Sequence, residues 1–250
     1  MDSSILNHRL ISERYFFPRP SQLDRPFWVD CDGARLACCY HECNSNAKTL
    51  VFFHGNGEIV ADYQGDFSLL FDQMGYNLFL AEFRGYGASS GQPQLGRMLD
   101  DVATILDAID QPQENLILFG RSVGSLFAIK GLESHPNVSG LILESAIANM
   151  MERLLLRVSP SELGVSLDEL QKTVVQQLDI KRLVESYSAA TLILHTQNDG
   201  LINVRHAQQL AAWAGENSML EIFSQGDHNS IMTENFHEYF RLISNFLDSL

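Results

Sequence analysis

A serine between two glycines is the residue best suited to covalent chemistry in this sequence. Ser122 is the centre of the segment G-R-S-V-G at residues 120–124. The four apolar residues 116–119 before it predict a strand buried on both faces, and apolar residues at helical spacing follow it. A strand that turns into a helix within so few atoms leaves no room for side chains at 120 and 124. This geometry lifts the hydroxyl off the sheet edge, as an attacking serine requires, so we predict Ser122 as a nucleophile.

An attacking serine needs a base to accept its proton. Among eight histidines, His228 lies in the segment Q-G-D-H-N-S at 225–230, a loop between the last predicted strand and the last predicted helix. From there it can fold back over the strand ends, so we predict it as the base. The other histidines lie on predicted helices, in a buried strand, in the turn after the strand at 49–53, or without supporting geometry: His237, His206, His195, His54, His8, His41 and His135.

The base in turn needs a carboxylate that fixes its tautomer and stabilises its charge. Asp199 is the leading candidate because it follows the apolar segment 191–196 in the turn Q-N-D-G. Two rivals remain open on the residues alone. Glu144 ends an earlier predicted strand, and Asp227 precedes the base, where its side chain is better placed to shape the loop than to reach the adjacent imidazole.

Charge that develops on a carbonyl oxygen during attack needs preorganised donors. The backbone N–H of Val123 starts the predicted helix, and that of Asn56 lies in the turn H-G-N-G-E after the strand at 49–53. We predict these two groups as the oxyanion hole, and His54 as a side chain that orients the turn. No cluster of His, Cys or Asp has the spacing of a metal site, so we expect chemistry without a metal or cofactor.

The composition restricts the class of protein. A chain of 250 residues with 45% apolar residues fits a single domain over 1–250. Its net charge of −14 argues against nucleic acid as a partner and against stable association with anionic membranes. Residues 1–20 contain several charges and no unbroken apolar run, so we expect neither a signal peptide nor a spanning helix, and a cytoplasmic location.

All four cysteines fall within residues 31–43, without the spacing of a zinc or redox site. We expect reduced thiols on a hairpin, with reversible acylation of one of them as the alternative. The glycine-rich segment R-G-Y-G-A-S-S-G at 84–91 lacks the spacing, the acidic residue and the helix of a dinucleotide site, so we predict a plain loop.

The predicted elements alternate between strand and helix, which favours an α/β fold with a mostly parallel sheet covered on both faces. The predicted strands are a hairpin at 27–40 on the sheet edge and segments 49–53, 77–82, 116–119, 138–144, 191–196 and 218–223. The main predicted helices are 59–74, 95–109, one that opens after Ser122, 204–214 and 236–250. His54, Ser122, Glu144 and Asp199 then share the carboxyl edge of the sheet, where α/β proteins place their sites.

Residues 147–180 interrupt this alternation. Apolar residues from 151 to 158 mark one amphipathic helix, and the capping box S-L-D-E at 166–169 opens a second. Inserted at the functional edge, the pair is either a small helical lid over the site or two helices packed on its rim.

With these residues assembled, the chain resembles the α/β-hydrolase-fold serine hydrolases, and within them the branch of the α/β-hydrolase-domain depalmitoylases and their bacterial relatives. The segments that carry the resemblance are F-H-G-N-G at 53–57, F-R-G-Y-G-A-S-S-G at 83–91, G-R-S-V-G at 120–124, L-E-S at 143–145 and G-D-H-N at 226–229. The order Ser122, Asp199, His228 is the nucleophile, acid, base order of that fold, which favours Asp199 as the acid.

The resemblance implies a cofactor-independent serine hydrolase that cleaves carboxylic esters or thioesters through an acyl-Ser122 intermediate. Its expected substrate is a small molecule or an acyl-protein. A depalmitoylase, a catalytically silent binding module on the same fold, and a cofactor-free lyase or perhydrolase with the same residues are the alternatives.

Overall fold

The computed structural model of the protein describes residues 5–250; the first four residues of the predicted domain lie outside this range. The strands are β1 (Phe27–Cys31), β2 (Ala34–His41), β3 (Thr49–Phe53), β4 (Asn77–Ala81), β5 (Leu116–Arg121), β6 (Gly140–Glu144), β7 (Ala190–Thr196) and β8 (Ser218–Phe223). The helices are α1 (Arg9–Tyr15), α2 (Asp66–Gln73), α3 (Leu95–Asp107), α4 (Gly124–Ser134), α5 (Met150–Leu155), α6 (Leu167–Gln177), α7 (Ile180–Ser186), α8 (Arg205–Ala214), α9 (Ile231–Glu234) and α10 (Phe236–Asp248). Within 5–250, no helix has the length and apolar character needed to cross a bilayer.

All eight strands form one sheet in the order β1-β2-β4-β3-β5-β6-β7-β8. The strands from β4 to β8 in this order pair in parallel, and β1 and β2 are antiparallel. The predicted α/β class with a mostly parallel sheet is confirmed, and so is the position of the hairpin at the edge.

Helices cover both faces of the sheet because successive strand residues point to opposite sides. In β3, Val51 and Phe53 pack into the cluster that includes α3 and α4, whereas Leu50 and Phe52 pack into the cluster that includes α2 and α10. The interior strands therefore have apolar residues on both faces, which is the pattern by which these strands were predicted.

The edge hairpin turns at Asp32-Gly33, where Gly33 has a φ of +70°, a value that favours glycine. Cys38 packs into the core on one face, and Cys39 lies on the opposite face, as their adjacent positions in a strand require. All four cysteines are free thiols in this structure.

The single helix predicted for 59–74 is wrong. The chain forms a short 3-10 turn at Val60–Tyr63 and then α2, and Gly65 separates the two with a φ of +84°. The helical spacing of apolar residues continues across Gly65 because residues before and after it pack against the same strand, β3. Phe52 contacts the rings of Tyr63 and Phe67, one from each segment.

In the region 147–180, α5 and α6 form near the predicted positions. Ser166 caps α6: its hydroxyl accepts the N–H of Glu169 at 3.2 Å, and the Glu169 carboxylate accepts the N–H of Ser166 at 2.8 Å. The predicted capping box is thus present. Helices α1, α7 and α9 were not predicted, and the glycine-rich segment 84–91 is a loop without a helix.

Candidate active site

Ser122 lies in the tight turn between β5 and α4. Its φ is +53°, which is unusual for a residue with a side chain. A Cβ on Gly124 would lie 2.0 Å from the carbonyl oxygen of Phe53, and a Cβ on Gly120 would lie 2.5 Å from Cα of Ser125. Neither position accepts a larger residue, so the two glycines allow β5, α4 and β3 to approach closely enough for the turn.

Three predicted side chains meet at the carboxyl edge of the sheet. Nε2 of His228 lies 2.9 Å from Oγ of Ser122, and Nδ1 of His228 lies 2.7 Å from Oδ2 of Asp199. All three residues are buried. The loop after β8 carries the imidazole, and the turn after β7 carries the carboxylate, so the contacts depend on the side-by-side order of β5, β6, β7 and β8.

The second carboxylate oxygen of Asp199 also accepts hydrogen bonds. Oδ1 accepts the backbone N–H groups of Leu201 at 2.8 Å and of Ile202 at 2.7 Å. Burial alone would raise the pKa of Asp199, but its hydrogen bonds and the His228 charge outweigh burial and lower the pKa. The carboxylate facing His228 is therefore ionised at neutral pH.

The two rival carboxylates contact other groups. Glu144 accepts a hydrogen bond from the hydroxyl of Tyr239 and does not contact His228. Asp227 accepts the backbone N–H groups of Asn229 at 2.8 Å and Ser230 at 3.0 Å, so it shapes the loop that carries the histidine.

The turn after β3 provides the other side of the site. Asn56 and Val123 both line the cavity in front of Ser122, and within residues 5–250 neither backbone N–H has a hydrogen-bond acceptor. The Asn56 side chain fixes the turn: its Oδ1 accepts the hydroxyl of Tyr86 at 2.8 Å and the N–H of Phe17 at 3.2 Å.

The buried side chain of His54 contacts the backbone of this turn. Its Nε2 lies 2.7 Å from a carboxylate oxygen of Glu82 and its Nδ1 lies 2.8 Å from the carbonyl oxygen of Gly55, with both side chains fully buried. Burial lowers the pKa of His54, but the hydrogen bond and the charge of Glu82 outweigh it and raise the pKa. The result is a buried ion pair beneath the predicted oxyanion hole.

A family model described as serine aminopeptidase, S33, of the Hydrolase_4 family, matches residues 44–182. The chain belongs to this α/β-hydrolase family. The match includes the turn at Asn56 and the segment around Ser122, and the resemblance stated from the sequence is confirmed.

Individual proteins resemble this chain at low sequence identity. The uncharacterised protein YfhR of Escherichia coli O157:H7 is 25% identical over 92% of this chain and 81% of its own length. Human α/β-hydrolase domain-containing protein 17B is 27% identical over 71% of this chain, and the match spans only 59% of that protein. An esterase from Pyrococcus furiosus superposes with a TM-score of 0.72 at 14% identity, over 94% of this chain and 98% of its own; this similarity concerns the fold.

Sequence reasoning missed the role of Arg121 in this hydrolase. Its guanidinium is an ion-pair partner of Glu58, lies 2.9 Å from a carboxylate oxygen of Glu144, and donates a hydrogen bond to the carbonyl oxygen of His228 at 3.0 Å. Burial lowers the pKa of Arg121, but the charges of Glu144 and Glu58 outweigh burial and raise it. Arginine occupies a variable position of the G-x-S-x-G pattern, so the pattern itself contained no signal for these contacts.

A second histidine also lies near Asp199. His195, in β7, lies with Nε2 2.9 Å from the carbonyl oxygen of Ile202 and 3.5 Å from Oδ2 of Asp199. Burial lowers the pKa of His195, so this ring is neutral at neutral pH and adds no positive charge beside Asp199.

In front of Ser122 the hydrolase has a cavity of about 200 Å³. Its walls are mainly apolar and come from the segment after α1, from α4, from α5 and from the turn after β7. Helix α5 contributes Met150, Arg153 and Leu154, whereas α6 contributes no residue to the lining. Of the two helices expected at the lid position, only α5 thus borders the site in this structure; motion of the insertion remains a prediction.

Proposed function

We propose that this α/β hydrolase is a serine hydrolase that cleaves carboxylic esters or thioesters through an acyl-enzyme on Ser122. One observation carries the proposal: His228 contacts Ser122 through one ring nitrogen at 2.9 Å and Asp199 through the other at 2.7 Å. This is the geometry in which a serine proton can move to an imidazole whose tautomer is fixed by a carboxylate.

In the proposed reaction, Nε2 of His228 takes the hydroxyl proton as Oγ of Ser122 attacks the carbonyl carbon. The carbonyl oxygen becomes negative and accepts hydrogen bonds from the N–H groups of Asn56 and Val123. The imidazolium, stabilised by Asp199, then gives its proton to the departing alcohol or thiol. In the second half, water loses a proton to His228 and attacks the acyl-serine, which releases the acid and restores the hydroxyl.

The cavity supports an aliphatic acyl group of limited length. Leu126, Ile147, Met150 and Leu154 supply apolar surface, and the cavity of about 200 Å³ is small for a ligand pocket. We therefore propose that soluble short- to medium-chain esters and acyl thioesters are the preferred substrates. Each added methylene should raise kcat/KM by at most about fourfold, or about 0.8 kcal/mol, until the cavity is full.

A depalmitoylase is the second candidate, and one observation favours it. Phe17 and Leu201 border the cavity but remain 47% and 53% exposed. Apolar side chains at the mouth of a cavity suit a long acyl chain that extends beyond it.

A series of 4-nitrophenyl esters with acyl chains of two to sixteen carbons separates these possibilities. We expect kcat/KM to rise and then level off or fall at medium length. A continuous rise to sixteen carbons would instead support the depalmitoylase. No turnover above that of the Ser122→Ala variant for any ester or for the matching thioesters would favour a silent binding module and contradict the proposal.

A further inference from the structure

The cavity in front of Ser122 has a positive wall in an acidic protein. The chain has 31 acidic and 17 basic residues, yet the cavity is lined by three arginines and by no aspartate or glutamate. The three are Arg121, Arg153 and Arg157. Since surface charge elsewhere is predominantly negative, this local excess of positive charge needs its own explanation.

Two of these arginines have partners within the protein. Arg121 is paired with Glu58 and Glu144. Arg157 donates to the carbonyl oxygen of Arg14 at 2.7 Å, and its guanidinium lies over the rings of Tyr15 and Phe17. Both therefore have structural roles that require no ligand.

Arg153 has no such partner. Among residues 5–250 its guanidinium makes no hydrogen bond or ion pair, although the side chain is only partly exposed and lies on the face of α5 that borders the cavity. The hydroxyl of Tyr15, on the same cavity, is buried and also lacks a partner. Buried polar groups in proteins are normally hydrogen-bonded, so the buried Tyr15 hydroxyl indicates a missing acceptor, and the unpaired Arg153 on the same cavity indicates that this acceptor is an anion.

The positive charges of Arg153 and Arg157 both act electrostatically on the Tyr15 hydroxyl. Burial raises the pKa of Tyr15 to about 12, while these two arginines oppose the rise. The phenol therefore remains protonated at neutral pH and is available as a donor. A neutral donor beside an unpaired guanidinium is the combination that binds a carboxylate.

We propose that Arg153 and Tyr15 form an anion subsite, and that the preferred substrates are esters or thioesters that bear a negatively charged group in addition to the reacting carbonyl. This inference rests on the proposed hydrolysis at Ser122, because the subsite and Ser122 line the same cavity. The anion belongs either to the far end of the acyl chain or to the leaving group, and both share the same recognition chemistry.

Matched esters test the subsite. For the acyl side we compare mono-4-nitrophenyl adipate with 4-nitrophenyl hexanoate, which have the same chain length and leaving group. For the leaving-group side we compare 4-carboxyphenyl butanoate with 4-acetylphenyl butanoate. We expect the wild-type protein to prefer the anionic member of one pair, and the preference to weaken as salt increases.

Variants then assign the preference to these residues. Arg153→Gln should lower the ratio of kcat/KM for the preferred anionic ester to kcat/KM for its neutral match by about tenfold to hundredfold, the range for a hydrogen bond to a charged group. Tyr15→Phe should have a smaller effect of the same kind, and Arg153→Lys should restore part of the preference. Arg241→Gln removes the same charge from an exposed ion pair on α10 and should leave the preference unchanged.

Equal losses on both members of each pair, or a wild-type preference for the neutral esters, would overturn the subsite. If no ester is hydrolysed, the proposed function fails separately, and the subsite is then judged by binding. Calorimetric titration of the Ser122→Ala variant with monomethyl adipate should show binding that Arg153→Gln, added to that variant, weakens at least about tenfold. Identical titrations would contradict it.

Discussion

Arg121 donates a hydrogen bond from Nη2 to the backbone carbonyl oxygen of His228, 3.0 Å away. The same guanidinium pairs with Glu58, whose other carboxylate oxygen accepts the N–H of Gly55 at 2.6 Å. One largely buried side chain thereby connects the loop that carries the imidazole to the turn that carries the Asn56 N–H. We predict that Arg121, the residue next to the serine, positions both segments.

Replacement of Arg121 should lower both the unfolding free energy and kcat, and the two effects can be measured separately. Arg121→Met leaves Glu58 and Glu144 without their cation, and the loss of one member of a buried ion pair costs about 3–5 kcal/mol of unfolding free energy. Because the His228 loop also loses its donor, we expect kcat to fall by about a hundredfold, as for small misplacements of catalytic groups. Urea denaturation and ester hydrolysis measure the two effects.

The double variant Arg121→Met/Glu144→Gln provides the control. It removes one of the two uncompensated charges, so it should recover part of the stability, whereas kcat should stay low because the donor to the His228 carbonyl is still missing. Recovery of kcat together with stability would show that Arg121 acts only through folding.

Asp199 and Asp227 are both candidates for the acid in the sequence, but only Asp199 contacts the imidazole of His228. Asp199→Asn replaces the acceptor of the Nδ1–H with an amide and removes the negative charge, so kcat should fall by about 10⁴-fold. Asp227→Asn, the matched change in a residue that accepts only loop donors, should cost less than about tenfold. Losses of similar size in the two variants would contradict the assignment of Asp199 as the acid.

The buried pair of His54 and Glu82 predicts a pH dependence of stability. A group whose pKa is raised in the folded protein stabilises it below the unfolded pKa, about 6.5 for histidine, and this contribution disappears as the pH rises through the folded value. The pKa of His54 is raised, so the wild type should lose stability relative to His54→Gln as the pH increases above about 6.5.

Urea denaturation between pH 6 and pH 9 measures this difference, which we expect to change by on the order of 1 kcal/mol. The pKa values of His135, His195 and His206 are lowered instead, so their contributions are lost toward acid pH in both proteins and cancel in the comparison. A difference that is constant with pH would mean that His54 is neutral in the folded state.

Much of the site could be predicted from local pattern. The glycine at 120 is required by atoms of the same turn, and the glycine at 124 by the close approach of β3. The strands place Ser122, Asp199 and the loop of His228 at one edge because parallel strands end together. Such features depend on periodicity and chain order, which the sequence displays directly.

The rest depends on contacts between distant segments. Nothing near Arg121 in sequence indicates its partners, because Glu58 and His228 reach it only in the folded sheet. The break at Gly65 was missed because apolar residues on both sides of it pack on one strand and preserve a helical spacing. Tyr15 and α1 were not predicted to border the cavity, since their position is fixed by side chains such as Asn56 and Arg157.

Covalent labelling of Ser122 tests the central claim most directly. The wild type and Ser122→Ala are incubated with a fluorophosphonate probe, and the adduct is located by mass spectrometry of the digested protein. We expect one adduct per chain, on the peptide that contains Ser122, none in the variant, and a loss of about 10⁴ to 10⁶ in kcat for the variant. Undiminished labelling of Ser122→Ala, or an adduct on a different serine of the wild type, would contradict the assignment of Ser122 as the nucleophile.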